Sequence, residues 1–85
     1  MSELREMINK IKDYLRDNSG SEEAPITKAQ VIEWYFDKVI SFEITDEVAG
    51  FVVADLVRAI NQALVELDRE VELDREKVPV FYQEE

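Results

Sequence analysis

Six carboxylates occupy every second position of the duplicated hexapeptide VELDREVELDRE, residues 65–76. They belong to Glu66, Asp68, Glu70, Glu72, Asp74 and Glu76. Carboxylates this dense can bind calcium, transfer protons or present negative charge to a partner. A calcium loop also needs a sharp-turn glycine and a terminal glutamate at fixed offsets, and the repeat lacks both. No apolar neighbourhood would raise the pKa of one carboxylate for proton transfer, so presentation of charge is the chemistry that remains.

Catalysis has few other sources, because the chain contains neither histidine nor cysteine. Nucleophilic systems that pair serine or cysteine with histidine are therefore excluded, as are zinc sites built on those residues. The two glycines, Gly20 and Gly50, stand far apart, so there is no glycine-rich loop to hold a phosphate. We predict a non-enzymatic protein that uses no cofactor and no metal.

The charge balance favours a basic partner. Twenty acidic and ten basic residues give a net charge of −10. Nucleic-acid binding requires clustered basic residues, and the densest grouping here, Lys10, Lys12 and Arg16, is interrupted by Asp13. We therefore expect a basic protein partner and no direct binding of nucleic acid.

Neither a membrane anchor nor an export signal is expected. No apolar run approaches the roughly 18–20 residues of a membrane span. The opening residues MSELREMINKIK are amphipathic and charged, unlike a secretory signal. The lack of cysteine fits an intracellular location, cytoplasmic or nuclear.

Two helices are predicted in the first half of a single domain of residues 1–85. Leu4, Ile8, Ile11 and Leu15 recur at helical spacing within residues 2–18. Residues 18–26 are then polar and close on Pro25, which predicts a flexible acidic loop. A capping box of Thr27 and Gln30, flanked by Ile26 and Val31 as a hydrophobic staple, starts the second helix.

Trp34, Tyr35 and Phe36 follow one another in the second helix and cannot all face the core. A core position is the favoured interpretation of Trp34, with its indole N–H bound to an acceptor. At least one of the three aromatic side chains should nevertheless lie near the surface, where it can anchor a partner.

The third helix is predicted from Asp46 to at least Gln62, after a short strand or extended turn in SFEIT. Thr45 is its expected N-cap, and Asp46 and Glu47 lie at the positive end of its dipole. This helix is apolar almost all round, so it is either the centre of the domain or also carries an interface, such as that of a homodimer.

The repeat is not expected to be one continuous amphipathic helix. Six residues turn by about 600°, so equivalent positions of the two copies point about 240° apart. On a strand both copies would present the same face. We expect the first copy to end the third helix or begin a strand, and the second to lead into pairing of VPVFY. The carboxylates form a solvated face by default, and a binding surface as the alternative.

The segments TKAQVIEWYFDKVIS (27–41), TDE (45–47), LVRAI and ALVEL resemble the C-terminal winged-helix domain of the sixth subunit of the eukaryotic minichromosome-maintenance helicase. That family domain binds a protein, the factor that helps to load the helicase at replication origins, and not DNA bases. The resemblance implies a winged helix whose partner surface lies near the third helix. The matching acidic positions in this chain are Asp46 and Glu47.

The predicted fold is mainly α with a small β element: three helices and a C-terminal hairpin or wing, winged-helix-like. An all-α three-helix bundle is the alternative. The predicted function is protein–protein interaction through an acidic surface. The alternative function is a small acidic inhibitor that mimics nucleic acid and blocks a basic protein. The candidate partner-binding residues are Trp34, Asp46, Glu47, Glu66, Asp68, Glu70, Glu72 and Asp74.

Overall fold

The computed structural model describes residues 3–39, 46–74, 76–77 and 79–83. Three α-helices and two very short strands occur in this part of the chain. In chain order they are α1 (Glu3–Asn18), β1 (Ile26–Thr27), α2 (Lys28–Trp34), α3 (Asp46–Leu73) and β2 (Tyr82–Gln83), with a π-helical segment, Tyr35–Val39, directly after α2. The predicted class, mainly α with a small β element, is confirmed. The expected Thr45 cap and the extended SFEIT segment lie outside the described residues.

The core lies chiefly between α1 and α3. From α1, the predicted stripe contributes Ile8, Ile11 and Leu15, all buried. From α3, the buried side chains are Leu56, Ala59, Ile60, Ala63 and Leu67. Their spacing of three and four residues keeps them on one face of each helix. Full burial of each leucine or isoleucine stabilises the fold by roughly 1.5–3 kcal/mol, so this contact supplies much of the driving force.

The predicted capping box starts α2. The Thr27 N–H donates to Gln30 Oε1 at 2.8 Å, and the Gln30 N–H donates to Thr27 Oγ1 at 3.1 Å. Ile26 and Val31, the predicted staple, are both buried in the core. Two otherwise unpaired N–H groups are thereby satisfied, and the helix start is fixed against the core.

The three consecutive aromatic residues, at the junction of α2 and the π-helical segment, differ in burial. Tyr35 is buried, whereas Trp34 and Phe36 are each half-buried and pack on the edge of the core. π-Helical turns are short and often occur at functional sites. The expectation that one of these rings lies near the surface is met by both Trp34 and Phe36.

α3 continues through most of the repeat and ends at Leu73. The expected break inside the repeat was therefore wrong. The geometric premise was right: Leu67 is buried, and its equivalent Leu73 is 82% exposed. The helix persists because neither copy contains Gly or Pro, and because Glu, Leu and Arg are good helix formers. One buried leucine and the contacts of Glu66 and Glu70 with α1 suffice to hold it.

Among the described residues, the C-terminal segment makes no strand pairing with the repeat, so the expected hairpin with the repeat was wrong. Instead β2 pairs in parallel with β1, matching Ile26 with Tyr82 and Thr27 with Gln83. The chain returns through α2 and α3 before it forms β2, and this long connection allows a parallel pairing. The sequence had predicted the pairing of VPVFY next to the repeat, and not with Ile26 and Thr27.

The same C-terminal segment also holds the connection between α1 and β1. The Phe81 N–H donates to the Ser19 carbonyl at 2.9 Å, and the Ile26 N–H donates to the Phe81 carbonyl at 2.9 Å. Gly20 has a φ of 71°, and a Cβ at this position would lie 2.9 Å from the Phe81 carbonyl oxygen. Asn18 belongs to α1 and Ile26 to β1, so the connection is shorter than the predicted loop of residues 18–26. Its flexibility stays a prediction.

Candidate functional site

Glu66, in the first copy of the repeat, accepts hydrogen bonds from side chains of both α1 and α3. It accepts hydrogen bonds from the Arg5 guanidinium at 2.8 and 3.0 Å and from the Lys12 ammonium at 3.2 Å. Gln62, one turn earlier on α3, donates a further hydrogen bond at 2.9 Å. Two cations of α1 and an amide of α3 thus converge on one side chain that is only 22% exposed.

Glu70, one turn further along α3, repeats the arrangement. The Arg16 guanidinium donates to both of its oxygens, at 2.6 and 2.8 Å. The Lys12 ammonium lies 3.1 Å from Glu70, and the ammonium of Lys77 lies 3.6 Å away. We call this set of two carboxylates and four cations, Arg5, Lys12, Arg16, Lys77, Glu66 and Glu70, the ion-pair seam.

The seam changes the acidity of both carboxyl groups. Hydrogen bonds from Arg5, Gln62 and Lys12, together with the charge of Arg5, lower the pKa of Glu66 to about 2, against partial burial, which opposes the shift. The hydrogen bond from Arg16 is the main cause that lowers the pKa of Glu70. The ionised form of each side chain is therefore favoured in the folded protein.

The ion-pair seam was not predicted, although the spacing of its residues in the sequence is a signal for it. Arg5, Lys12 and Arg16 are separated by seven and four residues, and Glu66 and Glu70 by four. These spacings place each set on one face of its helix. Prediction had instead grouped Lys10 with Lys12 and Arg16 because they are close in sequence.

The repeat's carboxylates are divided between two sides of α3. Neighbours in the acidic series lie about 200° apart around a helix, so alternate members form two stripes. Glu66 and Glu70 face α1, whereas Asp68 and Glu72 are exposed on the other side. Asp74 lies just beyond the helix and accepts from the Glu76 N–H at 3.0 Å. The predicted common face of six carboxylates is not formed.

The remaining predicted site residues lie away from the repeat. Asp46 and Glu47 occupy the first turn of α3, and their side chains are outside the described part of the structure. Trp34 lies at the end of α2, where its ring stacks on Tyr14 of α1 with centroids 4.3 Å apart and planes at 27°. Tyr35 meets Trp34 edge-on at 6.0 Å. We call the stacked rings of Tyr14 and Trp34 the aromatic shelf.

Two shallow grooves border the aromatic shelf. Their charged lining residues are Lys10, Asp13, Asp17, Glu33, Asp37 and Lys38. Four carboxylates and two ammonium groups thus line the grooves, and one of the carboxylates, Asp13, is paired with Arg16 at 3.1 Å. The shelf combines a half-buried aromatic surface with an acidic rim, which is the composition of a site for a cationic, partly apolar group.

Within the part of the chain that the structure describes, no helix is long and apolar enough to cross a membrane. The described carboxylates also include no group of three or more that could hold a metal ion.

The chain matches no protein-family model, no curated protein and no solved structure. The similarity to the helicase winged-helix domain therefore stays a prediction.

Proposed function

We propose that this protein is a non-enzymatic interaction module that binds a basic partner protein through an acidic surface, in the cytoplasm or nucleus. The observation that carries the proposal is the unequal composition of the ion-pair seam. Four cations contact the two carboxylates Glu66 and Glu70 there, and one of the four, Arg16, also pairs with Asp13. The remaining sequence contains six of the ten basic residues and eighteen of the twenty acidic ones.

Outside the seam, eighteen acidic residues stand against six basic ones, so the rest of the chain is more acidic than the composition as a whole. A field of one sign attracts oppositely charged partners and accelerates their association. Phosphate groups are bound by clusters of lysine and arginine side chains, and three of the basic residues on α1 are paired with carboxylates of α3. A basic protein is therefore the favoured partner, and a nucleic acid is not.

The alternative function, mimicry of nucleic acid, depended on a row of carboxylates on one side of the repeat. In α3, Glu66 and Glu70 are engaged with α1, which leaves Asp68 and Glu72 as the outward pair. Two carboxylates one turn apart lack the regular extent of a phosphate backbone. We therefore favour the interaction module, and Asp46 and Glu47 remain candidate contacts in it.

The proposal is tested by fluorescence anisotropy with labelled short peptides of equal length, one basic, one neutral and one acidic, and with a labelled DNA duplex. We expect binding of the basic peptide alone, with an affinity that falls as salt is raised from about 0.05 to 0.5 M, because screening weakens exposed charge contacts. Binding of the duplex, or equal binding of all three peptides, would contradict the proposal.

A further inference from the structure

We propose that the aromatic shelf is the docking site for an arginine side chain of the basic partner. This inference rests on the proposed function and gives it a location and a ligand chemistry. Its occupant is a segment of a partner protein that presents a guanidinium group, flanked by little negative charge.

Neighbouring side chains hold the rings of the aromatic shelf in fixed positions. Trp34 is stacked on Tyr14 and braced edge-on by the buried Tyr35. The capping box of Thr27 and Gln30 fixes the start of the helix that carries Trp34. Aromatic side chains held in this way lose little conformational freedom when a partner binds, which favours their use as anchors.

The rim of the shelf supplies negative charge on both sides. Asp13 and Asp17 lie on the α1 side, and Glu33 and Asp37 on the α2 side. Lys38 is 3.5 Å from Asp37, but both side chains are about 70% exposed, so this pair is easily exchanged for another cation. Lys10 and Lys38 are the two ammonium groups that line the same grooves.

Arginine fits this combination better than lysine. Its guanidinium is planar, so it can stack on an aromatic ring while its N–H groups donate sideways to carboxylates. A lysine ammonium is compact and strongly hydrated, and it offers no plane for stacking. The two grooves beside the shelf are lined by carboxylates together with the two rings, so a guanidinium in either groove would have both kinds of partner nearby.

Trp34 is the only tryptophan of the chain, so its fluorescence reports on the shelf alone. The experiment titrates the protein with a labelled peptide of arginine and glycine, and with matched peptides that carry lysine or citrulline in place of arginine. Peptide anisotropy gives total binding, and Trp34 emission gives occupancy of the shelf. We expect the arginine peptide to change Trp34 emission at the concentration at which it binds. The lysine peptide should bind about three- to tenfold more weakly, and the uncharged citrulline peptide should not bind.

Variants separate the shelf from general acidity. Tyr14→Leu removes a stacking ring and should lower the affinity for the arginine peptide about three- to tenfold. Tyr14→Phe keeps the ring and should leave that affinity unchanged. The double variant Glu33→Gln, Asp37→Asn should lower the affinity for the arginine peptide more than the double variant Glu22→Gln, Glu23→Gln. Both remove two negative charges, but Glu22 and Glu23 line neither groove. Circular dichroism verifies that each variant is folded.

Two failures can be told apart. If the arginine peptide binds without a change in Trp34 emission, and Tyr14→Leu binds as well as the wild type, the shelf is not the site and the proposed function stands. If neither the arginine nor the lysine peptide binds at low salt, the proposed function and the inference are both overturned.

Discussion

The ammonium group of Lys12 on α1 lies between two carboxylates of α3, 3.2 Å from Glu66 and 3.1 Å from Glu70. Its side chain is only 15% exposed, which makes Lys12 the least exposed of the four cations of the ion-pair seam. Lys12 thus joins the two halves of the seam, and Arg5 and Arg16 complete it at either end. The seam connects the first helix to the repeat along the edge of the apolar core.

Replacing Lys12 with methionine keeps the aliphatic stem and removes the charge. Because two partly buried carboxylates then lose a donor, we expect the free energy of unfolding to fall by about 1–2 kcal/mol. Lys10→Met, on an exposed part of the same helix, should change it by less than about 0.5 kcal/mol. Urea denaturation measures both variants. Equal effects would mean that the seam adds nothing specific to stability.

Much of the local structure could be predicted because its causes lie within one or two turns of chain. The capping box of Thr27 and Gln30 and the stripe from Ile8 to Leu15 are of this kind. The pairing of Ile26 with Tyr82 is not, since α2 and α3 separate the two residues along the chain. Nothing near Ile26 or Tyr82 identifies the partner strand.

The continuation of α3 through the repeat was mispredicted for a different reason. Loss of a common face was taken as loss of the helix, whereas a helix needs only some of its side chains to find partners. Leu67, Glu66 and Glu70 provide them. The α1 partners of Glu66 and Glu70 lie 54 and 61 positions away in sequence, and no local sequence pattern predicts contacts over such a separation.

The two leucines of the repeat provide a matched pair that tests this interpretation. Leu67→Ala should lower the free energy of unfolding by about 2–4 kcal/mol, because Leu67 is 5% exposed and its truncation leaves a cavity. Leu73→Ala should change it by less than about 0.5 kcal/mol. Thermal or urea unfolding of the two variants decides the matter. Similar losses at both positions would show that the two copies are equivalent, as in a strand.

Lowering the pH should remove the contribution of Glu66 to the free energy of unfolding over a defined pH range. Its pKa is about 2 in the folded protein and 4.5 ordinarily, so its ionised form is favoured by folding. The stability that it supplies is complete above pH 4.5 and is lost as the pH falls through that range towards 2. The difference in unfolding free energy between the wild type and Glu66→Gln should therefore be constant from neutral pH down to about 5 and shrink below it.

This comparison is made by urea denaturation at a series of pH values. Glu22→Gln, in the exposed connection between α1 and β1, is the control for loss of one acidic group. A difference between the wild type and Glu66→Gln that does not change as the pH is lowered would contradict the ion-pair role of Glu66.

The capping box should contribute to stability and to the aromatic shelf together. Thr27→Ala removes the acceptor of the Gln30 N–H and should cost about 1 kcal/mol. Thr27→Ser keeps a hydroxyl and should recover most of that loss. Thermal unfolding gives the energies, and the emission of Trp34 reports whether the shelf loosens. An alanine variant as stable as the serine variant would show that the cap is unimportant.

The central claim is that the repeat's carboxylates have two separate roles, with Glu66 and Glu70 binding α1 and Asp68 and Glu72 facing outward. The most direct measurement compares the unfolding free energies of two double variants with the same net charge, Glu66→Gln with Glu70→Gln and Asp68→Asn with Glu72→Gln. We predict a loss of about 2–3 kcal/mol for the first pair, since several charge-assisted hydrogen bonds are weakened. The second pair should lose less than about 0.5 kcal/mol, because exposed positions contribute little. Equal losses in the two double variants would contradict the claim.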